Sequence, residues 1–356
     1  MRRSTLLIIS SILLIFLIPG CGGPGIKEAS YTDPEAHGFS TEKLQLLEKH
    51  LEESGSSAFM LVVDGVTIFE WGETERKHTI HSMRKALLNS LYGIAVSNEQ
   101  IDTSATIREL EIDDEPGLTE AEKDTRIADM LRSRSGVYHH AAGVSQAMLE
   151  GMPERGSYRP GEHFYYNNWD FNTLGAILEQ QTGESLYTLF HKQIAEPLGM
   201  KDYKGKYSST DGESEDARIP DSDGFYQFET SKSRYPAYHF RMSARDLALY
   251  GQLYLDKGKW NGKQIVPEEW IEVSTKPYSI YSAEYGIAYG MLWYVLIPEG
   301  ESTTYSFFHT GLGIHMLAVY PESNMVLVHR VDTENDYSYD NNSLHIMIDL
   351  IFDSKL

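Results

Sequence analysis

The sequence predicts an α/β chain of the α+β type. A central antiparallel sheet is built from N- and C-terminal segments, flanked by helices, and a mainly helical lobe is inserted between them. Three observations lead there. The apolar runs Ala58–Val63 and 66–71 are joined by Asp64-Gly65, a two-residue hairpin signal. Strand-like runs return only near the other end, at 286–296, 307–320 and Met325–Arg330, the last two joined by a Pro321-Glu322-Ser323-Asn324 turn. Between these ends the patterned segments read as helices. The sheet part is therefore expected at 39–100 and 240–356, and the inserted lobe at 101–239.

Taken in order, the chain opens Met1-Arg2-Arg3, runs apolar from 6 to 18 with only Ser10 and Ser11 polar, and reaches Pro19-Gly20-Cys21. A short basic start before about 7–15 apolar residues reads as an export signal, being too short for the roughly 20 residues of a membrane span. Ile18-Pro19-Gly20-Cys21 resembles the lipobox of bacterial lipoproteins, with Pro19 departing from the usual residue there. Residues 1–21 are then a lipoprotein signal peptide, Cys21 the lipidation site and 22–38 a tether, which places the protein in the cell envelope. Cys21 is the single cysteine, so no intramolecular disulfide is expected. Losing Arg2 and Arg3 with the signal would take the net charge from -21 to -23. Such an acidic chain repels nucleic acid and anionic bilayers, which leaves the lipid as the means of membrane attachment.

Ser40 caps an amphipathic helix carrying Leu44, Leu47 and Leu51, with Lys43 turned to water. A second helix follows Ser82 and is apolar on most faces, through Ala86, Leu87, Leu88, Leu91, Tyr92, Ile94, Ala95 and Val96. Helices are expected near 127–133, at 174–181 and 186–194 around Thr182-Gly183, and at 344–352. Ser243-Ala244-Arg245-Asp246 reads as a capping box opening a helix through Leu255. Residues 203–234 carry Asp211, Glu213, Glu215, Asp216, Asp221 and Asp223 and are too long for a connector, so they read as a lid or mobile flap bordering a site.

Three short patterns carry chemistry. Ser82-x-x-Lys85 places a hydroxyl and an amine one turn apart on a buried helix, where burial makes a lysine a usable base. Ser40-Thr41-Glu42-Lys43 has the same spacing on a surface helix. Tyr166-x-Asn168 follows the Pro160-Gly161 turn and offers a phenol for proton relay and an amide for a substrate carbonyl; Tyr165 with Asn167 and Tyr339 with Asn341 match it too. His309-Thr310-Gly311 lies on a strand, where an interior glycine marks close approach by another backbone or a ligand. No Gly-x-Ser-x-Gly elbow occurs. No cofactor or metal is expected: His78 and His81 are three apart without a His-Glu-x-x-His pattern, and His139-His140 reads as a loop pair.

In this order and rough spacing, the three patterns resemble the motifs of the serine β-lactamase and penicillin-binding protein superfamily, in its class C branch with DD-carboxypeptidases and family VIII esterases. The likeness runs from about Phe39 to Leu350. It also takes in the Asp64-Gly65 hairpin, Pro160-Gly161, Leu174-Gly175 with Thr182-Gly183, the 243–254 segment and Trp260-Asn261-Gly262. The resemblance implies a β-lactamase/transpeptidase-like fold and a serine hydrolase cleaving an ester or amide. Ser82 would be the acylated nucleophile, Lys85 its base and Tyr166 the proton relay. Asn168 would touch substrate and Lys85, His309, Thr310 and Gly311 would line the opposite wall, and the N–H groups of Ser82 and Leu312 would form the oxyanion hole. The third motif is commonly Lys-Thr-Gly in lactamases. Histidine in its place pulls less on a carboxylate, because it is about neutral at pH 7. The expected partner is a small-molecule or peptide-like ester or amide. The alternative is a non-catalytic binding or sensor protein of the cell envelope on the same fold.

Overall fold

The structure, a computed structural model, describes residues 33–298, 300 and 302–356. The signal peptide and Cys21 expectations, with the tether up to residue 32, lie outside the described residues; the rest of the expected tether, 33–38, holds a 3-10 turn at Pro34–His37. The helices are α1 (Thr41–Ser54), α2 (Arg84–Ser97), α3 (Ile127–Leu131), α4 (Gln146–Glu150), α5 (Asn168–Thr182), α6 (Leu186–Phe190), α7 (Glu196–Leu198), α8 (Ala244–Leu255), α9 (Glu268–Ser274) and α10 (Asn341–Asp353). The strands are β1 (Ala58–Val63), β2 (Val66–Gly72), β3 (His78–Thr79), β4 (Tyr207–Asp211), β5 (Gly224–Phe228), β6 (Ala237–Met242), β7 (Lys259–Trp260), β8 (Lys263–Gln264), β9 (Ser279–Ser282), β10 (Ile287–Tyr289), β11 (Tyr294–Leu296), β12 (Ser306–Gly311), β13 (His315–Tyr320) and β14 (Met325–Arg330). Among them no helix is long and apolar enough to cross a membrane.

Eight strands form one antiparallel sheet in the order β2-β1-β14-β13-β12-β11-β10-β9. The first strands of the chain thus sit beside the last, as the two-ended pattern predicts. Alternation sorts the central side chains between two cores. Ala58, Met60 and Val62 of β1, with Val326 and Val328 of β14, face a core shared with α2, α5 and α8. Phe59, Leu61 and Val63, with Met325 and Leu327, face a second core under α1 and α10. Burial on both faces is why these strands read as unbroken apolar runs.

Several boundaries differ from the sequence reading, each for a local reason. Residues 286–296 and 307–320 are two hairpins rather than two strands, turning at 290–293 and at 312–314. Leu292, Gly313 and Ile314 all take positive φ there, and Ile314 N–H donates to Gly311 O at 2.8 Å. The acidic 203–234 segment is not a flap. Its β4 and β5 pair in parallel within a second sheet, β3-β6-β5-β4, and the Asp223 carboxylate accepts the N–H groups of Lys204 and Lys206 at 2.9 Å. Ser243 does cap α8, accepting from Asp246 N–H, but Asp246 does not reach back. Its carboxylate accepts from the Lys201, Asp202 and Tyr203 amides at 2.8–3.0 Å and so ties α8 to the loop that follows α7. Helix α5 starts at 168 rather than 174, because Asn167 caps it by accepting from Trp169 N–H at 3.1 Å.

Helix α2 is buried along almost its whole length, Lys85 included. It also carries a glycine in its interior, which intrinsic propensity disfavours by about 1 kcal/mol. Packing explains it. A Cβ on Gly93 would lie 2.4 Å from the Trp270 ring of α9, whose Nε1 donates to Asn89 O at 2.9 Å. We expect Gly93→Ala to destabilise the protein by about 1–3 kcal/mol, because overpacking outweighs the propensity gain. Urea unfolding reads this directly, and a higher midpoint would refute the packing argument.

The ends of β3, β13 and β14 bury a group of histidines around Arg330. Its guanidinium is wholly buried, and its pKa falls to about 9 through desolvation. Burial, with the Arg330 charge, lowers His78 and His81 to about 4; burial lowers His329 and His309 to about 3, and drives His315 and His239 well down. Each binds protons more readily in the unfolded chain, whose histidines titrate near 6.5, so stability is full above that pH and is lost as the pH falls toward 4. Buried Asp170, Glu179, Asp246 and Asp256 have raised pKa values and oppose this, but the six histidines outnumber them. The melting temperature should fall between pH 6.5 and 5, before ordinary carboxylates protonate. A constant value over that interval would count against the buried neutral histidines.

Candidate active site

Strand β3 pairs with β6, and Ile80 N–H continues that register by donating to Phe240 O at 2.9 Å. A single 3-10 turn, His81–Met83, then leads into α2. Ser82 is therefore not a helix N-cap; it sits in the turn before the helix. His81 takes φ +48°, a left-handed conformation that costs a side-chain-bearing residue energy and that clusters at functional sites. Arg84 fixes the start of α2 from behind. Its guanidinium donates to Tyr238 O at 2.6 Å and Asn172 Oδ1 at 3.1 Å, and lies 4.5 Å from the Tyr238 ring centre.

Lys85 Nζ stands 3.0 Å from Ser82 Oγ. It is 4.8 Å from the Tyr166 ring centre and 4.6 Å from that of Phe171, and no carboxylate pairs with it among the described residues. Desolvation, aided by the Arg84 charge, holds its pKa well below the lysine range. The amine is thus available in its neutral form, next to the hydroxyl it would deprotonate.

The competing tyrosine–asparagine registers separate cleanly. Ser133 Oγ donates to Tyr165 O at 2.7 Å and accepts from Asn167 N–H at 3.1 Å, gripping the backbone on both sides of Tyr166. Tyr165 points away and donates to Met148 O, Asn167 is spent as the α5 cap, and Tyr339 packs beside Met347. Only Tyr166 reaches the serine. Burial raises its pKa, and the neighbouring Ser82 hydroxyl opposes that rise. Its ring packs on Phe171, Tyr289 and Tyr294. Ser40, the rival serine, is a helix cap accepting from Lys43 N–H, while Lys43 Nζ, exposed as expected, donates to Asp353 O.

Asn168 lies beside this group, with a correction. Its amide donates to Gly143 O at 2.6 Å, and no hydrogen bond joins it to Lys85. Its Oδ1 is buried without a partner. Glu229, at the end of the acidic segment, accepts from Gly143 N–H and backs the same loop. That loop had no signal in the sequence.

The third pattern arrives on β12. Gly311 packs so tightly that a Cβ would stand 2.4 Å from Ile80 O, which is the close backbone approach its position suggests. His309 does not line an open wall. Its ring is wholly buried, with Nδ1–H donating to Thr310 O at 2.8 Å and Nε2 unpartnered. Thr310 is half-buried and Leu312 is 65 % exposed, so these two residues face outward beyond Gly311. Ser82, Lys85, Tyr166 and His309 thus converge from α2, the α5 entry and β12. Among the described residues no cluster of His, Cys, Asp and Glu could hold a metal.

The comparisons with known proteins agree with this fold. A protein from Escherichia coli (strain K12) described as "Putative D-alanyl-D-alanine carboxypeptidase" is 22% identical over 241 residues, covering 56% of this chain and 54% of that protein. The chain spans about half the length of the curated relatives it matches. The octameric penicillin-binding protein homologue from Pyrococcus abyssi superposes with a TM-score of 0.61 at 17% identity, over 88% of this chain and 77% of that one. EstCE1, a hydrolase with promiscuous acyltransferase activity, gives 0.61 at 14% identity over 88% and 98%. At these identities the superpositions establish the fold. The Beta-lactamase family model matches residues 45–341, most of the chain, and the chain belongs to that family.

Proposed function

We propose that this chain is a serine hydrolase that cleaves an ester or amide through an acyl-enzyme on Ser82. The observation that carries the reading is the 3.0 Å contact between Ser82 Oγ and the fully buried, carboxylate-free Lys85 amine. Neutral Lys85 takes the Ser82 proton as Oγ attacks the substrate carbonyl. The oxyanion is held by the Ser82 and Leu312 N–H groups, at the positive end of α2. Tyr166, whose hydroxyl is influenced by that of Ser82, passes a proton to the leaving group. Water then cleaves the acyl-enzyme with the proton flow reversed.

The candidate substrates are D-Ala-terminated peptides, peptide-like oligomers and short acyl esters. In place of a charged wall, the third motif supplies a buried histidine whose pKa is depressed to about 3. It offers no cation to a substrate carboxylate, which favours short uncharged esters and amides over both β-lactams and D-Ala-terminated peptides. The same reading keeps the protein in the cell envelope, lipidated at Cys21.

Two measurements test these statements. A fluorophosphonate should label the wild-type protein and not Ser82→Ala, and Lys85→Met should slow labelling by at least about a hundredfold, the scale of lost general-base assistance. Fluorescent penicillin should label weakly or not at all. Silence of both probes would favour the binding or sensor alternative, and label retained in Ser82→Ala but lost in Ser40→Ala would move the nucleophile. In the source cell, a labelled fatty acid should enter the wild-type chain and be lost in Cys21→Ser; equal incorporation into both would remove the anchor.

A further inference from the structure

Behind the serine, one side chain joins the two backbone segments from which the proposed oxyanion hole is drawn. Thr333 Oγ1 lies 2.8 Å from His81 Nε2 and 3.2 Å from His315 Nε2. The proton directions follow from the other ends. Arg330 Nε–H donates to His315 Nδ1 at 3.1 Å, and Val331 N–H donates to the same atom at 3.3 Å. His315 Nδ1 is therefore an acceptor, so in the neutral ring Nε2 carries the proton and donates to Thr333. Thr333 has one hydroxyl proton, and it is free to go to His81 Nε2. The result is a one-way chain from Arg330 through His315 and Thr333 to His81, the residue held at φ +48° directly before Ser82. The methyl of Thr333 occupies the space over Gly313, where a Cβ would stand 2.1 Å from Thr333 Cγ2. Gly313 directly follows Leu312.

We propose that Thr333 is a positioning residue for acyl transfer: its hydroxyl holds His81 in the left-handed conformation that aims Ser82, while its methyl seats the turn carrying Leu312. This rests on the reading of Ser82 as the nucleophile. A side-chain-bearing residue leaves the left-handed region when nothing retains it, whereas glycine occupies that region freely. The role therefore has a signature that plain packing lacks.

The test uses the full chain with the fluorophosphonate labelling rate and kcat and KM on p-nitrophenyl butyrate. Thr333→Val keeps the shape and removes both hydrogen bonds; labelling and kcat should fall by about tenfold or more with KM little changed, as expected when an interaction needed in the transition state is lost. Thr333→Ser keeps the hydroxyl and gives up only the methyl over Gly313, so its loss should be measurable but smaller than that of Thr333→Val, about threefold. Independently of how Thr333→Val folds, His81→Gly should label about tenfold faster than His81→Ala, since only alanine pays for the left-handed backbone. Equal rates for Thr333→Val and wild type, or His81→Ala matching or exceeding His81→Gly, would overturn the role. A wild-type chain that does not label would refute the nucleophile itself, and this role with it.

Discussion

Gly311 has no room for a side chain, and most of the site follows from that constraint. The end of β12 lies against Ile80 so closely that a Cβ would meet the Ile80 carbonyl oxygen at 2.4 Å. Ile80 is in turn fixed by Phe240 of β6, and β12 by its pairing with β13 and β11. The second sheet and the large sheet are therefore clamped at one point. The residue after that point on one side is His81, then Ser82; on the other it is Leu312. At Gly311 itself no side chain of β12 separates the two segments that the acyl-transfer reading draws together. A larger residue at 311 would push them apart by backbone displacement, because the obstacle is a carbonyl and not a flexible side chain.

The buried Lys85 is the second unusual feature, and it makes sense only with function in view. Removing a lysine from water costs free energy unless its charge is paired or given up. Lys85 has two aromatic rings and a like charge, Arg84, as neighbours. The fold thus forces the neutral amine, which is what a general base must be. The same physics acts on His309, buried and held neutral by desolvation, with any charge on Lys85 adding to the effect. Arg84 escapes the penalty differently: a guanidinium can scarcely lose its proton, and it is satisfied by a carbonyl and an amide oxygen.

Much of this was legible in the sequence, and the reasons are physical. Length and pattern marked β1, β2, β14 and α8 to within a residue or so, β1 and β14 as apolar runs buried on both faces, and the Ser40 cap and apolar stripe marked α1. The apolar all-round pattern after Ser82 correctly placed Lys85 in the interior and separated it from Lys43. What was missed has a common cause. Turns at 290–293 and 312–314 rest on Leu292 and Ile314 with positive φ, which no turn-residue rule anticipates. The parallel β4–β5 pair lies in a polar, acidic stretch, where the buried Asp223 carboxylate holds the chain entering β4 and the Tyr207 and Tyr226 rings pack on Tyr187. Asn167 and Asn168 look interchangeable in sequence, yet one is a cap and the other reaches Gly143. Such distinctions depend on contacts distant along the chain.

His81 shows most sharply why the remainder could not be read. In sequence it is one of 13 histidines, and with His78 it suggested at most a ligand pair. In the fold it is strained, and the strain is retained by a hydroxyl 252 positions away. That arrangement has an energetic logic. A glycine before Ser82 would adopt the same backbone without strain, but it would also leave it freely, giving the nucleophile many positions. A tethered histidine accepts the strain and gains a single position, since release requires breaking its bond to Thr333. The tether is itself anchored through His315 to Arg330, which is buried and donates to the carbonyls of Met242 and His78 as well. Those carbonyls belong to β3, the strand that leads to Ser82, and to its pairing partner β6. The support is thus closed on itself: the buried cation organises the strand ends, and the strand ends hold the turn that presents the serine.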